Sequence, residues 1–328
     1  MPYALLIAGI ALLLIGGTLL VRGASGIARG FNVSPMMIGL TVVAFGTSTP
    51  ELVVNITGAL QGQTDLAFGN AVGSNLANFG LVLGFAAVLS PIYLQGQVVR
   101  REVPFLLLVT AILMVMAADE PLSGTLAALD RGDAIILFLL FTVFVYFMIR
   151  DVMQEKEDPI LKEAQSFPTA LNKETPQSTG RMILHTVTAI VGLVGLTFGG
   201  QLTIEQGAVI AQLHNLPQVV IGIFVVAVGT SLPELVTSGI AAYKKETDLA
   251  LGNIVGSNIF NSLFVLPAAG IIEPLPIPDG GAIDLVVGFM FVLVVIPLFF
   301  FRNARISRRE GIALLLTYFA YLVYRFTA

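Results

Sequence analysis

The sequence predicts an all-α integral membrane protein with ten transmembrane helices, arranged as two inverted repeats of five helices. Three observations lead to this fold class. The 328-residue chain is 56% hydrophobic and only 12% charged, with a mean hydropathy of +0.89, which is far more apolar than a soluble domain. Its apolar stretches have the length that a bilayer requires, and its two halves contain copies of one motif. We therefore expect helices, which satisfy their own backbone polar groups in lipid.

Ten apolar stretches are each long enough to cross a hydrocarbon core of about 30 Å. The predicted spans are residues 3–21, 32–60, 65–89, 102–118, 132–149, 181–200, 216–243, 248–271, 281–301 and 309–327. The first span lacks the basic flank and cleavage site of a signal peptide and is expected to be retained. The chain divides into a first five-helix repeat (1–150), a linker (151–180) and a second, inverted repeat (181–328).

Basic residues predict the orientation of the spans, because Lys and Arg collect in short cytoplasmic loops. With ten spans, the loops on one side contain all basic residues except Arg131 and Arg325, a split of 15 to 2. Both termini are therefore predicted outside and the 151–180 linker in the cytoplasm. The linker fits a solvated connector, although the stretch around Ile160 and Leu161 also fits an amphipathic segment on the membrane surface.

Composition also excludes some partners and sites. The chain has no cysteine, which rules out disulfides and thiolate metal sites. Its net charge of −4 says little about partners, and no basic aromatic patch suggests nucleic acid.

An internal repeat relates the two halves of the chain. Residues 39–83 align without gaps on residues 222–266, an offset of 183, and 25 of the 45 positions are identical. GTSTPEL (46–52) aligns with GTSLPEL (229–235), and DLAFGNAVGSNLAN (65–78) with DLALGNIVGSNIFN (248–261). Because each half has an odd number of spans, the second copy must cross the membrane in the opposite sense. This architecture is typical of secondary transporters, whose substrates bind near the bilayer midplane.

Two carboxylates, Glu51 and Glu234, lie deep inside predicted spans at equivalent positions of the repeat. A charged side chain at the centre of a membrane helix costs about 2.5 to 3.5 kcal/mol. No Lys, Arg or His lies deep enough in a span to pair with them. The natural partner is a cation from outside the chain, and the alternative is a pair of protonated carboxyls that bond each other.

Oxygen-bearing side chains accompany both glutamates. Each glutamate follows a threonine and a serine by four and three residues, so the three side chains share a helix face. Pro50 and Pro233 lack an amide hydrogen, so carbonyls near Gly46 and Gly229 are predicted to lose their donors and to face a ligand. The predicted side-chain donors besides the glutamates are Thr47, Ser48, Ser74 and Asn78 in the first copy, and Thr230, Ser231, Ser257 and Asn261 in the second. A kinked, tightly packed helix would explain one copy alone, and the repetition favours a site.

The donor set indicates the class of cation. Carboxylate, hydroxyl, amide and backbone oxygens suit hard ions such as Ca²⁺ and Na⁺, and not zinc or copper. Two carboxylates neutralise one Ca²⁺ and can hold several Na⁺ in turn, so the ions would compete for one cavity, as exchange requires. If the carboxylates take protons instead of Na⁺, the same pattern describes a Ca²⁺/H⁺ antiporter. A cation channel is a more distant alternative, Mg²⁺ is not excluded as substrate, and no enzymatic activity is predicted.

At these residues the sequence resembles a known family. GTSTPEL and GTSLPEL, with GNAVGSNLAN and GNIVGSNIFN, resemble the two alpha-repeats of the calcium/cation antiporter superfamily, sodium/calcium exchanger branch. The resemblance covers both halves and implies a secondary active antiporter that exchanges Na⁺ for Ca²⁺ by alternating access. It implies no cofactor beside the transported ions, and no obligate protein partner in addition to the lipid bilayer.

The resemblance also implies roles for individual residues. Glu51 and Glu234 match the central carboxylates shared by Ca²⁺ and Na⁺. Hydroxyl ligands are matched by Thr47, Ser48, Thr230 and Ser231, and outer Na⁺ ligands by Ser74 and Ser257. Backbone-carbonyl ligands are matched by Ala44 and Ala227, and the central amide or acid by Asn78 and Asn261.

Asn261 and the linker bear on the subtype. Several prokaryotic members and the potassium-dependent branch have aspartate at the position of Asn261, so the asparagine argues against K⁺ cotransport. The linker, 151–180, is far too short for the calcium-sensing domains of the animal proteins, and regulation by bound Ca²⁺ is not predicted. The resemblance implies a prokaryotic-type protein of the plasma (inner) membrane.

Small residues mark the first and sixth spans, which the resemblance implies to be the moving ones. They are Gly9, Gly16 and Gly17 in the first span, and Gly192, Gly195, Gly199 and Gly200 in the sixth. Sliding contacts fit this pattern, and static packing or dimerisation through small residues fits it equally well.

Overall fold

The computed structural model describes residues 1–31, 33–93, 97–118, 127–155, 179–214, 229–301 and 305–327. These residues are mostly helical, with four strands of two residues each. The helices are α1 (Pro2–Phe31), α2 (Pro35–Thr47), α3 (Thr49–Leu60), α4 (Thr64–Leu89), α5 (Gln97–Met116), α6 (Arg131–Glu155), α7 (Thr179–Leu213), α8 (Leu232–Tyr243), α9 (Thr247–Ile272), α10 (Gly281–Phe301) and α11 (Arg308–Thr327). Each predicted span overlaps helical residues, and the second span is divided into α2 and α3.

Length and hydropathy identify the helices that can cross a membrane. Among the described residues, five helices qualify, namely α1, α4, α7, α9 and most of α6, and α2 with α3 makes a sixth if the bent pair is one span. The protein is therefore an integral membrane protein. Residues 216–228 of the predicted seventh span lie outside the described residues. So do 156–178 of the predicted linker, including Ile160 and Leu161.

The helices α1 and α7 pack against each other along a stripe of glycines. They extend to Phe31 and to Leu213, well beyond the apolar stretches that predicted spans 3–21 and 181–200. A Cβ built at Gly16 would lie 2.7 Å from the Gly192 carbonyl oxygen, and one at Gly23 would lie 2.5 Å from the Ala189 nitrogen. The two backbones therefore touch over several turns.

Helix α2 crosses α9 at equally short range. Ser34 caps α2 by accepting a hydrogen bond from the Met37 amide, and Pro35 occupies the first turn. A Cβ at Gly252 would lie 2.4 Å from the Met36 carbonyl oxygen, and one at Gly256 would lie 2.6 Å from that of Leu40. These two glycines of α9 therefore allow the backbones to approach closely, which brings GTSTPEL against the second copy of the motif.

Two short strand pairs join distant parts of the chain. Strand β1 (Ile92–Tyr93) pairs antiparallel with β4 (Arg305–Ile306), and β2 (Ala128–Leu129) pairs antiparallel with β3 (Leu275–Pro276). The turn between α3 and α4 and the turn between α8 and α9 occupy equivalent positions in the repeat. Gly62, between α3 and α4, and Lys245, between α8 and α9, are equivalent in the repeat, and both have positive φ, 69° and 64°.

Candidate cation site

The candidate site lies at the two GTSxPEL motifs, one at the break between α2 and α3 and the other at the start of α8. Ser48 ends α2 with φ −87° and ψ 7°, and Ser231 precedes α8 with φ −84° and ψ 5°. The axes of α2 and α3 differ by 42° at this break. Each proline lies in the first turn of the following helix, where its missing N–H costs nothing. Glu51 and Glu234 are thus placed in the first turns of α3 and α8.

Both glutamates are fully buried and bond to a serine of another segment. Ser74 Oγ donates to Glu51 Oε1 at 3.3 Å, and Ser48 Oγ donates to Glu234 Oε1 at 3.2 Å. Within the described ranges, no ion pair involves either glutamate. Helix N-termini favour negative charge, but they do not neutralise it. The site therefore holds two carboxylates without a basic partner, as the sequence predicts.

Hydroxyl contacts connect the two copies of the motif. Ser74 Oγ lies 3.3 Å from Thr230 Oγ1, and Ser257 Oγ lies 3.5 Å from Thr47 Oγ1. Because Thr230 and Ser257 are the repeat counterparts of Thr47 and Ser74, these two contacts are equivalent in the repeat. The structure thus brings together hydroxyls that are 156 and 210 residues apart in the chain.

Several buried oxygens at the site have no hydrogen-bond partner in the part of the chain that the structure describes. Glu51 and Glu234 each use Oε1 in a hydrogen bond and leave Oε2 buried and unpartnered. The others are Asn78 Oδ1, Asn261 Oδ1 and Ser231 Oγ. Buried polar atoms without partners are costly, and a bound cation would satisfy all five oxygens. The donor set fits a hard cation.

Carboxylates alone would not make this site. In the described ranges, no group of three or more His, Cys, Asp or Glu side chains could hold a metal ion. Calcium ordinarily takes six to eight oxygens, so two glutamates would need help from neutral oxygens. The hydroxyls and amides described above are of that kind, and two carboxylates match the charge of one divalent ion.

The predicted backbone ligands have mixed outcomes. The Ala44 carbonyl accepts a hydrogen bond from the Ser48 amide at 3.0 Å and lies 3.4 Å from the Thr47 hydroxyl. The Gly229 carbonyl lacks its usual helical donor, because the residue four positions on is Pro233, and it accepts instead from the Leu232 amide at 3.2 Å. The chain turns tightly before α8, which brings that amide within reach. Ala227 lies outside the described residues.

The asparagines of the site begin turns of π-helix that the sequence does not reveal. Asn78 opens the π-turn Asn78–Leu83 within α4, and Asn261 opens the π-turn Asn261–Val265 within α9. Both side chains are buried, and each lies one turn after a serine of the site. Turns of this type insert an extra residue into a helix and are frequent at functional sites. Here they redirect the helix directly after its last predicted ligand.

A further set of buried polar residues lies behind the site. Asn253 Oδ1 accepts the Thr47 hydroxyl at 3.1 Å, and Asn253 Nδ2 donates to Ser238 Oγ at 3.0 Å. In the first copy, Asn70 Nδ2 donates to Asn55 Oδ1 at 2.6 Å, and Asn55 Nδ2 donates to the Ala67 carbonyl at 2.8 Å. Asn70 and Asn253 are not among the predicted site residues, although the same asparagine occurs in both aligned segments, GNAVGSN and GNIVGSN.

Comparison with known proteins identifies relatives over most of the chain. The family model described as "Sodium/calcium exchanger protein" matches residues 1–150 and 184–327. The candidate antiporter CaxA of Alkalimonas amylolytica is 38% identical over 95% of both chains. The sodium/calcium exchanger MaX1 of Methanosarcina acetivorans is 30% identical over 99% of this chain and 98% of its own.

A solved structure has the same fold. The sodium-calcium exchanger NCX_Mj, in crystals soaked with 2.5 mM Na⁺ and 0.1 mM Ca²⁺, superposes with a TM-score of 0.81 at 28% identity. The match covers 98% of this chain and 97% of that one.

Proposed function

Because this chain belongs to the sodium/calcium exchanger family, we propose that it is a secondary active antiporter that exchanges Na⁺ for Ca²⁺ by alternating access. The observation that carries the proposal is the pair of buried glutamates, each with one unpartnered carboxylate oxygen and no basic residue bonded to it among the described residues. Such a pair needs a cation, and the two negative charges of the carboxylates balance the charge of one Ca²⁺. Several Na⁺ could replace that ion at the same oxygens. The chain acts as a transporter and not as an enzyme.

The proposed architecture has ten transmembrane helices in two inverted repeats, 1–150 and 181–328, joined by a cytoplasmic linker at 151–180. The 15 to 2 split of basic residues supports termini outside the cell, in the plasma (inner) membrane of a prokaryote. Ser48 and Ser231, which directly precede equivalent helices with nearly the same backbone angles, support the repeat. The glycine contacts between α1 and α7 support a pair of helices that slides against the site.

We assign the ions to the predicted oxygen donors. Glu51 and Glu234 bind Ca²⁺, and Na⁺ competes with Ca²⁺ for the same two carboxylates. The remaining ligands are neutral. These are Thr47, Ser48, Ser74, Asn78, Thr230, Ser231, Ser257 and Asn261, with the carbonyls of Ala44 and Ala227. Asn261 is uncharged, so the site has no third carboxylate, and we propose that transport does not require K⁺.

The first experiment measures the coupling ion. Labelled Ca²⁺ uptake is followed in proteoliposomes loaded with Na⁺ or with choline, and separately under an imposed pH gradient. We expect uptake that requires internal Na⁺. Uptake that follows only the pH gradient would assign the protein to Ca²⁺/H⁺ exchange. Conductive flux without saturable counterflow would assign a channel, and no uptake under either gradient would exclude Ca²⁺ as the substrate.

Membrane potential provides a second prediction. If three Na⁺ exchange for one Ca²⁺, one net charge crosses per cycle, and a potential of 100 mV biases the exchange by about 2.3 kcal/mol. We expect Na⁺-driven Ca²⁺ uptake to change in rate and final level when K⁺ gradients with valinomycin set opposite potentials. Equal uptake at both potentials would contradict this stoichiometry and indicate an electroneutral exchange.

A further inference from the structure

Two asparagines behind the site, Asn253 and Asn70, occupy equivalent positions of the repeat and were not predicted as ligands. Both are buried, with 0% and 2% of their surface exposed. Each amide nitrogen is held by a polar side chain on a neighbouring short helix, Asn253 Nδ2 by Ser238 and Asn70 Nδ2 by Asn55. Because the donor end of each amide is fixed, its oxygen end is directed away from that helix.

The two amide oxygens are used differently. Asn253 Oδ1 accepts the hydroxyl proton of Thr47 at 3.1 Å. Asn70 Oδ1, the equivalent atom, is buried and has no hydrogen-bond partner among the described residues. Thr230, the counterpart of Thr47, has its hydroxyl 3.3 Å from Ser74 Oγ. A threonine–asparagine bond between the two copies of the motif is therefore formed on one side of the site and open on the other.

This bond decides whether a threonine can bind a cation. A hydroxyl has one proton and ligates a cation through its oxygen lone pairs. When Thr47 donates its proton to Asn253, its lone pairs remain available. Other acceptors near this hydroxyl are themselves predicted ligands, namely the Ala44 carbonyl at 3.4 Å and the Ser257 hydroxyl at 3.5 Å. Without Asn253, the proton would either occupy one of these ligand oxygens or face the cation, and both would weaken cation binding.

We propose that Asn253 and Asn70 are positioning residues that alternately accept the hydroxyl proton of the threonine in the opposite repeat. In the conformation described here, Asn253 holds Thr47. In the alternate conformation, Asn70 holds Thr230 and Asn253 releases Thr47. The proposal rests on the proposed function, because inverted repeats generate two access states when the halves exchange conformations. Each state thus orients the hydroxyl of one threonine for the ion.

A double-mutant cycle tests the positioning role through Ca²⁺ affinity. Asn253→Ala, Thr47→Val and the double variant are purified in detergent and titrated calorimetrically with Ca²⁺. We expect each single variant to bind Ca²⁺ about tenfold more weakly, as for the loss of one buried hydrogen bond. The double variant is expected to lose about tenfold as well, because the two residues act through one contact. A loss near a hundredfold would show independent effects and overturn the proposal.

Asn258→Ala is the matched control for the loss of a buried amide. Asn258 is on the same helix and 2% exposed, and its amide donates to the Ile254 carbonyl. We expect it to keep the Ca²⁺ affinity within about twofold, and an equal loss in both variants would make the Asn253 effect merely structural. If Asn253→Ala does not fold, Ser238→Ala removes the anchor of the amide. The same non-additivity with Thr47→Val is then expected, and additivity would overturn the proposal.

Alternation is tested by distance measurements between spin labels, for which the absence of native cysteine is an advantage. The labels are attached at Leu60→Cys, at the end of α3, and at Leu213→Cys, at the end of α7. The two native leucine side chains are 68% and 62% exposed. We expect Asn253→Ala and Asn70→Ala to shift the populations of the interspin distances in opposite directions. Shifts in the same direction, or no shift, would overturn alternation. Neither readout uses Na⁺, so a wild-type chain that fails to couple uptake to Na⁺ would overturn only the proposed function.

Discussion

Replacing Glu51 or Glu234 with glutamine is expected to abolish Na⁺-dependent Ca²⁺ uptake. Glutamine preserves the size of the side chain and an acceptor for the serine bond, so the fold should persist and only the charge is lost. Removing one partner of a buried charge pair costs about 3 to 5 kcal/mol, and each 1.4 kcal/mol is about tenfold in affinity. We therefore expect Ca²⁺ binding to weaken by about a hundredfold to several thousandfold in each variant.

The matched control is Glu273→Gln, which changes an exposed glutamate just beyond the end of α9. It should transport as the wild type does. Ca²⁺ should raise the melting temperature of the wild type and of this control, because a ligand that binds only the folded state stabilises it. The two site variants should melt at the same temperature with and without Ca²⁺. A site variant that still exchanges Na⁺ for Ca²⁺ at the wild-type rate would contradict the shared site.

Gly252→Ala is expected to destabilise the protein strongly, whereas Gly69→Ala should not. The two glycines are equivalent in the repeat, but their surroundings differ. A Cβ at Gly252 would lie 2.4 Å from the Met36 carbonyl oxygen and 3.0 Å from the Leu40 nitrogen, whereas one at Gly69 meets no described atom within 4 Å. Overpacking of this kind costs about 1 to 3 kcal/mol and sometimes more, and backbone atoms cannot move aside as a side chain can.

Thermal unfolding in detergent without Ca²⁺ checks this prediction. Gly252→Ala should lower the melting temperature by several degrees and reduce Ca²⁺ affinity, since the crossing of α2 over α9 positions Thr47 and Ser257. Gly69→Ala should melt within about a degree of the wild type, as surface substitutions usually do. Equal destabilisation by both variants would mean that Gly69 is packed as tightly as Gly252, in disagreement with the surroundings that the described residues give the two glycines.

Much of the fold could be predicted from the sequence, because the bilayer imposes strong rules. Apolar length placed helical residues in all ten predicted spans, and Pro50 marked the break between α2 and α3. The glycines of α1 and α7 were recognised as small packing residues, and the structure places them in backbone contact. The full lengths of α1 and α7 could not be predicted, since both helices continue beyond the apolar stretches.

The oxygen donors were predictable from the repeat. Both copies of the polar motif place a glutamate inside the membrane, and a bound cation is the simplest explanation for two such carboxylates. The pairing of the donors was not predictable. Ser48 donates to Glu234, in the other copy of the repeat, whereas Ser74 donates to Glu51, in its own copy. Three further features could not be predicted from the sequence. They are the amide that donates to the Gly229 carbonyl, the π-turns at Asn78 and Asn261, and the bond from Thr47 to the Asn253 amide. All of these depend on local backbone path or on contacts across many residues.

The sequence by itself determined that this is a helical membrane protein with a repeated motif and two buried carboxylates, because hydropathy, repetition and charge are properties of residues in order. Only the tertiary structure decided how the two copies differ. Asn253 bonds Thr47, whereas the Asn70 amide oxygen has no partner among the described residues. A Cβ at Gly252 would meet the Met36 carbonyl oxygen, whereas one at Gly69 meets no described atom. Because the residues at these equivalent positions are identical, the sequence alone cannot predict that their contacts differ. The difference arises because a single conformation packs the two halves unequally.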